Sequence, residues 1–159
     1  MIDQSLIQEL FGKVISLKAR DVKLGWGSFI TMGFGNDMAY EITIRKKRQR
    51  EHRPEWFFWV MMSFWRLVVN DETIAHCEDD RDYLREVLKV IENKSLLKVE
   101  VLSDKNDLQL SFEGGIILHL ISNLEENEED FKQWMLFTPE RKTLVAAGYE
   151  TLIYEPSGE

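Results

Sequence analysis

The sequence has one cysteine, Cys77, three histidines, three prolines and nine glycines in 159 residues. A lone thiol excludes an internal disulfide framework. So little proline and glycine leaves no flexible linker or low-complexity tract, and only the end, Pro156-Ser157-Gly158-Glu159, reads as a loose tail. The longest apolar run, residues 56–69, falls short of the about 20 residues that span a bilayer and is broken by Ser63 and Arg66. Near the start, Asp3 and Glu9 stand where a secretory signal needs cations. We therefore expect a cytoplasmic protein with no membrane partner.

Catalytic motifs are missing as well. His52, His76 and His119 are widely separated, and the closest approach to a site, His76-Cys77-Glu78, lacks the further ligands or orienting group that zinc or a Cys/His nucleophile pair requires. Gly25-Trp26-Gly27 and Gly114-Gly115 do not lead from a strand into a helix as a nucleotide fingerprint does. Nothing nominates a catalytic residue, a metal or a cofactor. The expectation is a protein that binds rather than catalyses.

What the chain does contain is an apolar pattern that recurs. Ile30-x-Met32-x-Phe34, then Gly35-Asn36-Asp37, then Met38-x-Tyr40-x-Ile42 lies over Leu108-x-Leu110-x-Phe112, then Glu113-Gly114-Gly115, then Ile116-x-Leu118-x-Leu120. Trp65-x-Leu67 with its following turn lies in the same way over Trp134-x-Leu136. Each half opens with a short amphipathic helix, one capped by Asp3 with Leu6, Ile7, Leu10 and Phe11 on its face, the other capped by Asp79 with Tyr83, Leu84, Val87, Leu88 and Ile91. Strands are predicted at residues 14–18, 29–34, 38–44, 57–69 and 73–76, and at 96–102, 108–112, 116–122, 132–138, 143–147 and 151–154. The predicted fold is α+β: one domain, residues 1–159, of two pseudo-repeated helix plus antiparallel β-meander units, residues 1–77 and 78–159. In the second hairpin a three-residue loop pairs Phe112 with Ile116 and Leu110 with Leu118, leaving Gln109, Ser111, Ile117, His119 and Ile121 on the other, half-wet face.

Charge is distributed unevenly. Residues 45–53 hold six cations and one anion, a local +5 in a chain of net −8, leaving −13 for the remainder. The corresponding connection in the second half carries five anions, Glu125, Glu126, Glu128, Glu129 and Asp130. An acidic surface steers a basic protein toward it and excludes wrong partners. A second acidic group, Glu78, Asp79, Asp80 and Asp82, sits at a predicted helix start, where carboxylates also complement unsatisfied N–H groups. The basic run, Arg45, Lys46, Lys47, Arg48, Arg50 and Arg53, could hold nucleic acid with Trp56 stacking on bases, but the acidic remainder disfavours that partner. The segment from Trp56 to Met62 is apolar on both strand faces, so its second face needs covering by the second meander, by another subunit or by a partner; a homodimer is the economical suggestion, and burial between the two halves is the expectation ranked just ahead of it.

Glu78-Asp79-Asp80-Arg81, Val99-Glu100-Val101, Asp107-Leu108-Gln109-Leu110-Ser111-Phe112, Gly114-Gly115, Leu118-His119-Leu120 and Trp134-Met135-Leu136 together resemble a family of small uncharacterised bacterial α+β proteins, over about half the chain. Part of that family is associated with toxin and immunity gene clusters. The resemblance implies an immunity protein that neutralises a cognate toxin domain; the −13 balance outside the basic run, and not the resemblance, points to a basic nuclease as that partner and to Glu125, Glu126, Glu128, Glu129 and Asp130 as the binding face, with Glu78, Asp79, Asp80 and Asp82 as the second candidate patch. The alternative is a nucleic-acid-associated or regulatory protein using the basic run.

Overall fold

A computed structural model describes residues 3–125 and 127–157, the side chains of Tyr40 and Ile42 excepted. In chain order the elements are α1 (Ser5–Gly12), β1 (Ala19–Leu24), β2 (Ile30–Ile44), β3 (Lys47–Val60), β4 (Ser63–Val69), β5 (Glu72–His76), α2 (Arg81–Val87) running into a 3-10 turn (Leu88–Ile91), β6 (Leu96–Val101), β7 (Leu108–Phe112), β8 (Ile116–Ser122), β9 (Lys132–Phe137), β10 (Lys142–Ala147) and β11 (Thr151–Pro156). The strands form two antiparallel sheets, ordered β1-β2-β3-β9-β10-β11 and β5-β4-β8-β7-β6.

This overturns the expected α+β class. With 55% of residues in strands and 12% in helix, the 3-10 turn after α2 included, the protein is mostly β. The expected halves are not separate packed units either. The six-stranded sheet joins β1 to β3 of the first half to β9 to β11 of the second, and β4 and β5 cross to complete the other sheet. The crossing happens at Met61-Met62, which split the expected single strand 57–69 into β3 and β4. Alternation explains the split: Trp56, Phe58 and Val60 are buried on one sheet, and Ser63, Trp65 and Leu67 on the other. A straight strand would send one of these sets into solvent.

Gly35-Asn36-Asp37 is not a hairpin turn. β2 runs through it as a bulge, with Gly35 and Asn36 opposite Glu55, and pairing with β3 resumes at Asp37 and continues to Ile44 opposite Lys47. Gly35 has φ of 85° and the Asn36 N–H donates to Glu55 Oε1 at 2.8 Å. The turn lies at Arg45-Lys46. The second hairpin has the expected register, Phe112 opposite Ile116 and Leu110 opposite Leu118. Residues 14–18 form no strand; Val14 is buried directly after α1. Asp3 and Asp79 each sit one residue before the N-cap: Asp3 accepts from Ser5 N–H, and Asp80 caps α2 by accepting from Asp82 N–H.

One apolar core fills the space between the sheets. Phe34, Phe58, Trp65, Leu67, Phe112, Leu118 and Trp134 meet there, and α1 adds Ile7 and Phe11. Phe11 packs edge-on to Phe58 with ring centres 5.5 Å apart.

The outer faces of the two sheets differ. That of the five-stranded sheet carries a polar ladder, Arg66 to His119 to Gln109 to Glu100. That of the six-stranded sheet carries a second apolar cluster: Met135, Val145 and Ala147 with half-buried Trp59, Met61, Phe137 and Ile153. The aromatic run is therefore not buried between halves on both faces.

Candidate functional site

Strand register places the crossover Met61-Met62, the turn after β5, the β1–β2 loop and the connection 125–131 at one end of the sandwich. β2 starts at Ile30 opposite Val60, Val60 is opposite Trp134, and Ser63 is opposite Ser122. Both sequence-predicted acidic groups lie at this end, Glu126 falling outside the described residues. In the connection, Glu125, Glu129 and Asp130 are exposed and form no ion pair among the described residues. Glu128 holds the loop shape, its Oε1 accepting from Glu125 N–H at 2.9 Å. Beside them Leu124, Glu125, Asn127 and Tyr149 line an open depression of about 510 Å³, and Phe131 is 45% exposed.

The second group is partly occupied with local structure. Asp79 accepts from His76 N–H at 2.9 Å, Asp80 caps α2, and Asp82 pairs with Arg85 at 3.2 Å. Glu78 is exposed and its carboxylate makes no ion pair among the described residues. Between Asp80 and Asp82, Arg81 reaches the carbonyls of Gly25 and Gly27. Trp65 Nε1 braces the same loop by donating to Ser28 O at 2.7 Å, and Gly25 N–H closes it on Phe29 O. The loop so held presents Trp26 with 87% of its surface exposed. This is the residue that motif reasoning missed. The only sequence signal is a tryptophan between two glycines, and the bracing arginine is 54 positions away.

The basic run is part of a ribbon. β1 pairs β2 only over residues 30–34, and β9 pairs β3 only over residues 57–60, so residues 37–54 project as two strands without neighbours. Arg45, Lys46, Lys47, Arg48 and Arg50 are exposed on it, and Arg53 pairs with Glu51. Trp56 does not belong to this surface: it is 7% exposed, in the core, and cannot stack on bases. The ribbon leaves the sandwich beyond Phe137 and Thr143, at the end opposite the acids.

Among the described residues no three His, Cys, Asp or Glu side chains converge as metal ligands, and no helix is long and apolar enough to cross a membrane. The Cys77 thiol is held above its ordinary pKa, chiefly by burial, which suppresses the reactive thiolate. No protein-family model, curated protein or solved structure matches the chain.

Proposed function

We propose that this protein is a non-enzymatic inhibitor of the immunity type, which covers the working surface of a basic toxin domain with the acidic end of its sandwich. The observation that carries the reading is Trp26: a bare indole on a loop fixed by Arg81 and Trp65, at the end of the sandwich that also carries Glu78 and Asp82. Tryptophan in a pre-ordered loop supplies contact area at little entropic cost, and surrounding carboxylates steer a cationic partner onto it. Glu125, Glu129 and Asp130 extend the same field. The depression at Tyr149 and the exposed Phe131 offer further apolar contacts.

The test begins with capture of the cognate basic domain from the source organism, followed by its affinity for variants. Trp26→Ala should weaken binding by about 2 kcal/mol, roughly thirtyfold in Kd, with thermal stability unchanged. Glu78→Lys should slow association and flatten its salt dependence. Unchanged affinity and toxin protection in both variants would remove this face from the proposal.

A second reading rests on the ribbon, since a two-stranded β-ribbon fits the major groove of duplex DNA. At about 3.3 Å per residue, residues 47–54 carry the tip roughly 26 Å out, about three Debye lengths from the acidic body at physiological salt. Duplex binding that falls steeply with added salt and disappears on reversing Lys46, Lys47 and Arg48 is the result this reading requires.

A further inference from the structure

The two sheets have four edges between them, at β1, β11, β5 and β6, and the chain itself seals three. Along β1, the Glu92 carboxylate accepts from the N–H groups of Asp21 and Val22, and Ala19 donates to Lys94 O and accepts from Asn93 N–H. Along β6, Leu96 donates to Leu17 O and accepts from Ser16 N–H, and the Val99 carbonyl accepts from Gln8 Nε2. Along β5, the Ile74 carbonyl accepts from the Tyr83 hydroxyl, and Asp79 accepts from His76 N–H. A bare edge is a template for a further strand, and these contacts remove the template.

β11 is the fourth edge, and it is open. Ser157 N–H donates to Arg141 O, and Thr138 N–H donates to Lys142 O. Bonds in antiparallel ladders alternate between neighbours. Thr143, Val145 and Ala147 therefore bond to Glu155, Ile153 and Thr151 of β11, while Lys142, Leu144 and Ala146 turn to β9. Leu152, Tyr154 and Pro156 are left directing their main-chain groups away from the sheet. Among the described residues nothing meets those of Leu152 and Tyr154. Pro156 has no N–H to leave bare, a placement that edge strands allow.

The open segment is complementary to itself. In an antiparallel pairing of two copies centred on Ile153, Leu152 faces Tyr154 of the second copy, and every outward N–H and C=O of both residues is used. Moving the centre to Tyr154 sets Pro156 opposite Leu152 and leaves the Leu152 carbonyl without a donor. Moving it to Leu152 sets Glu150, outside the strand, opposite Tyr154. The register centred on Ile153 also sorts the side chains. Ile153, part of the outer apolar cluster, meets its own copy, and the half-buried Leu152 and Tyr154, which border the core, meet each other. Thr151 faces Glu155, so no like charges are opposed.

The twofold axis of this pairing stands beside β11, outside the molecule and perpendicular to the sheet there. The copies lie edge to edge, and their six-stranded sheets join into one. The β10–β11 turn, where Gly148 N–H donates to Phe131 O, lies at opposite ends of the joined sheet in the two copies, so the acidic connections stay apart. β1 is the far edge of the same sheet, which leaves the Trp26 loop open to a toxin domain.

We propose that β11 is a dimerisation edge, pairing antiparallel with β11 of a second copy about Ile153. At about 3.3 Å per residue the paired segment is roughly 17 Å long, a contact on the scale of transient assemblies. The dimer is therefore reversible on dilution.

The experiment is sedimentation equilibrium of the full chain from micromolar to near-millimolar concentration, with crosslinking to read the register. The native chain should pass from a monomer of 18.8 kDa to a dimer. Crosslinking uses a Cys77→Ser background, since Cys77 is the one native thiol. Opposed residues of a non-hydrogen-bonded pair stand within disulfide reach, so Ile153→Cys should give a covalent dimer on mild oxidation. Glu155→Cys alone should not, because Thr151 is its opposite; mixed with Thr151→Cys, it should. Ile153→Glu, which opposes two carboxylates, should stay monomeric with native-like circular dichroism and recover a dimer when mixed with Ile153→Lys. A native chain that is monomeric throughout overturns the proposal, as does Glu155→Cys crosslinking to itself as readily as Ile153→Cys. A chain monomeric alone whose Leu152 and Tyr154 amides exchange more slowly once the captured basic domain is added assigns this edge to that partner instead.

Discussion

Arg66 Nε donates to His119 Nδ1 at 2.9 Å across the β4–β8 pair, which obliges the imidazole to be neutral and to carry its proton on Nε2. That Nε2 lies 2.6 Å from Gln109 Oε1; Gln109 in turn donates to Glu100, and Lys98 pairs with the same carboxylate. The ladder ties four strands together on the wet face of the five-stranded sheet.

A pH dependence follows from this ladder. Partial burial, and then the charge of Arg66, hold His119 below its ordinary pKa of 6.5. A base with a lowered native pKa is protonated first in the unfolded chain, so its stabilisation is complete above pH 6.5 and is lost as pH falls through 6.5 toward the lower native value. His119→Gln removes the titration. Melting curves at about pH 7.5 and about pH 5.5 should show a larger drop for the native chain than for the variant; equal drops would refute the assignment.

Trp134 should be among the most sensitive core positions. It is fully buried, packs against Phe11 and Phe58, and donates from Nε1 to Asn106 O at 3.0 Å. Trp134→Ala should cost about 3–5 kcal/mol in denaturant unfolding. Trp134→Phe keeps most of the packing and leaves the Asn106 carbonyl without its donor, for about 1–2 kcal/mol.

Gly148 ties the β10–β11 turn to the acidic connection. Its φ is +60°, and an added Cβ would lie 2.8 Å from Glu129 Cα, a backbone contact that no rotamer change relieves. Gly148→Ala should therefore lower stability by more than the about 1–2 kcal/mol of left-handed backbone alone, and limited proteolysis should cut first within residues 125–131.

The ribbon tip makes the opposite prediction. Replacing Arg45-Lys46 by Asn-Gly suits the observed dihedrals and should raise the ribbon's stability by about 0.5–1 kcal/mol, read as slower amide exchange in residues 38–53. Unchanged or faster exchange there would show that the left-handed tip is not strained by its two long side chains.

The sequence is legible where neighbours along the chain supply the constraint. The hairpin of β7 and β8 follows from alternation and a glycine-ended loop, because a two-residue loop would put Leu110 opposite His119. At 30–42 the same pattern misleads, because Gly35 with a second small residue serves a bulge as well as a turn, and only the continued pairing to Lys47 distinguishes them. Asp79 and Asp80 are separated by one residue in capping role, a difference that backbone angles decide.

By itself the sequence determines which residues are apolar on one face of each strand, that a single cysteine rules out internal crosslinks, and that cations and acids occupy separate stretches. These are properties of local order and composition, and they hold in any fold the chain could adopt. Tertiary structure alone decides that β4 and β5 leave the first meander to join the second, that the two acidic stretches share one end with Trp26, and that the basic stretch stands at the other. Those relations arise where strands distant in sequence pair, and their free energy comes from burying Trp65, Phe112 and Trp134 between two sheets, a term that no short stretch of the chain contains.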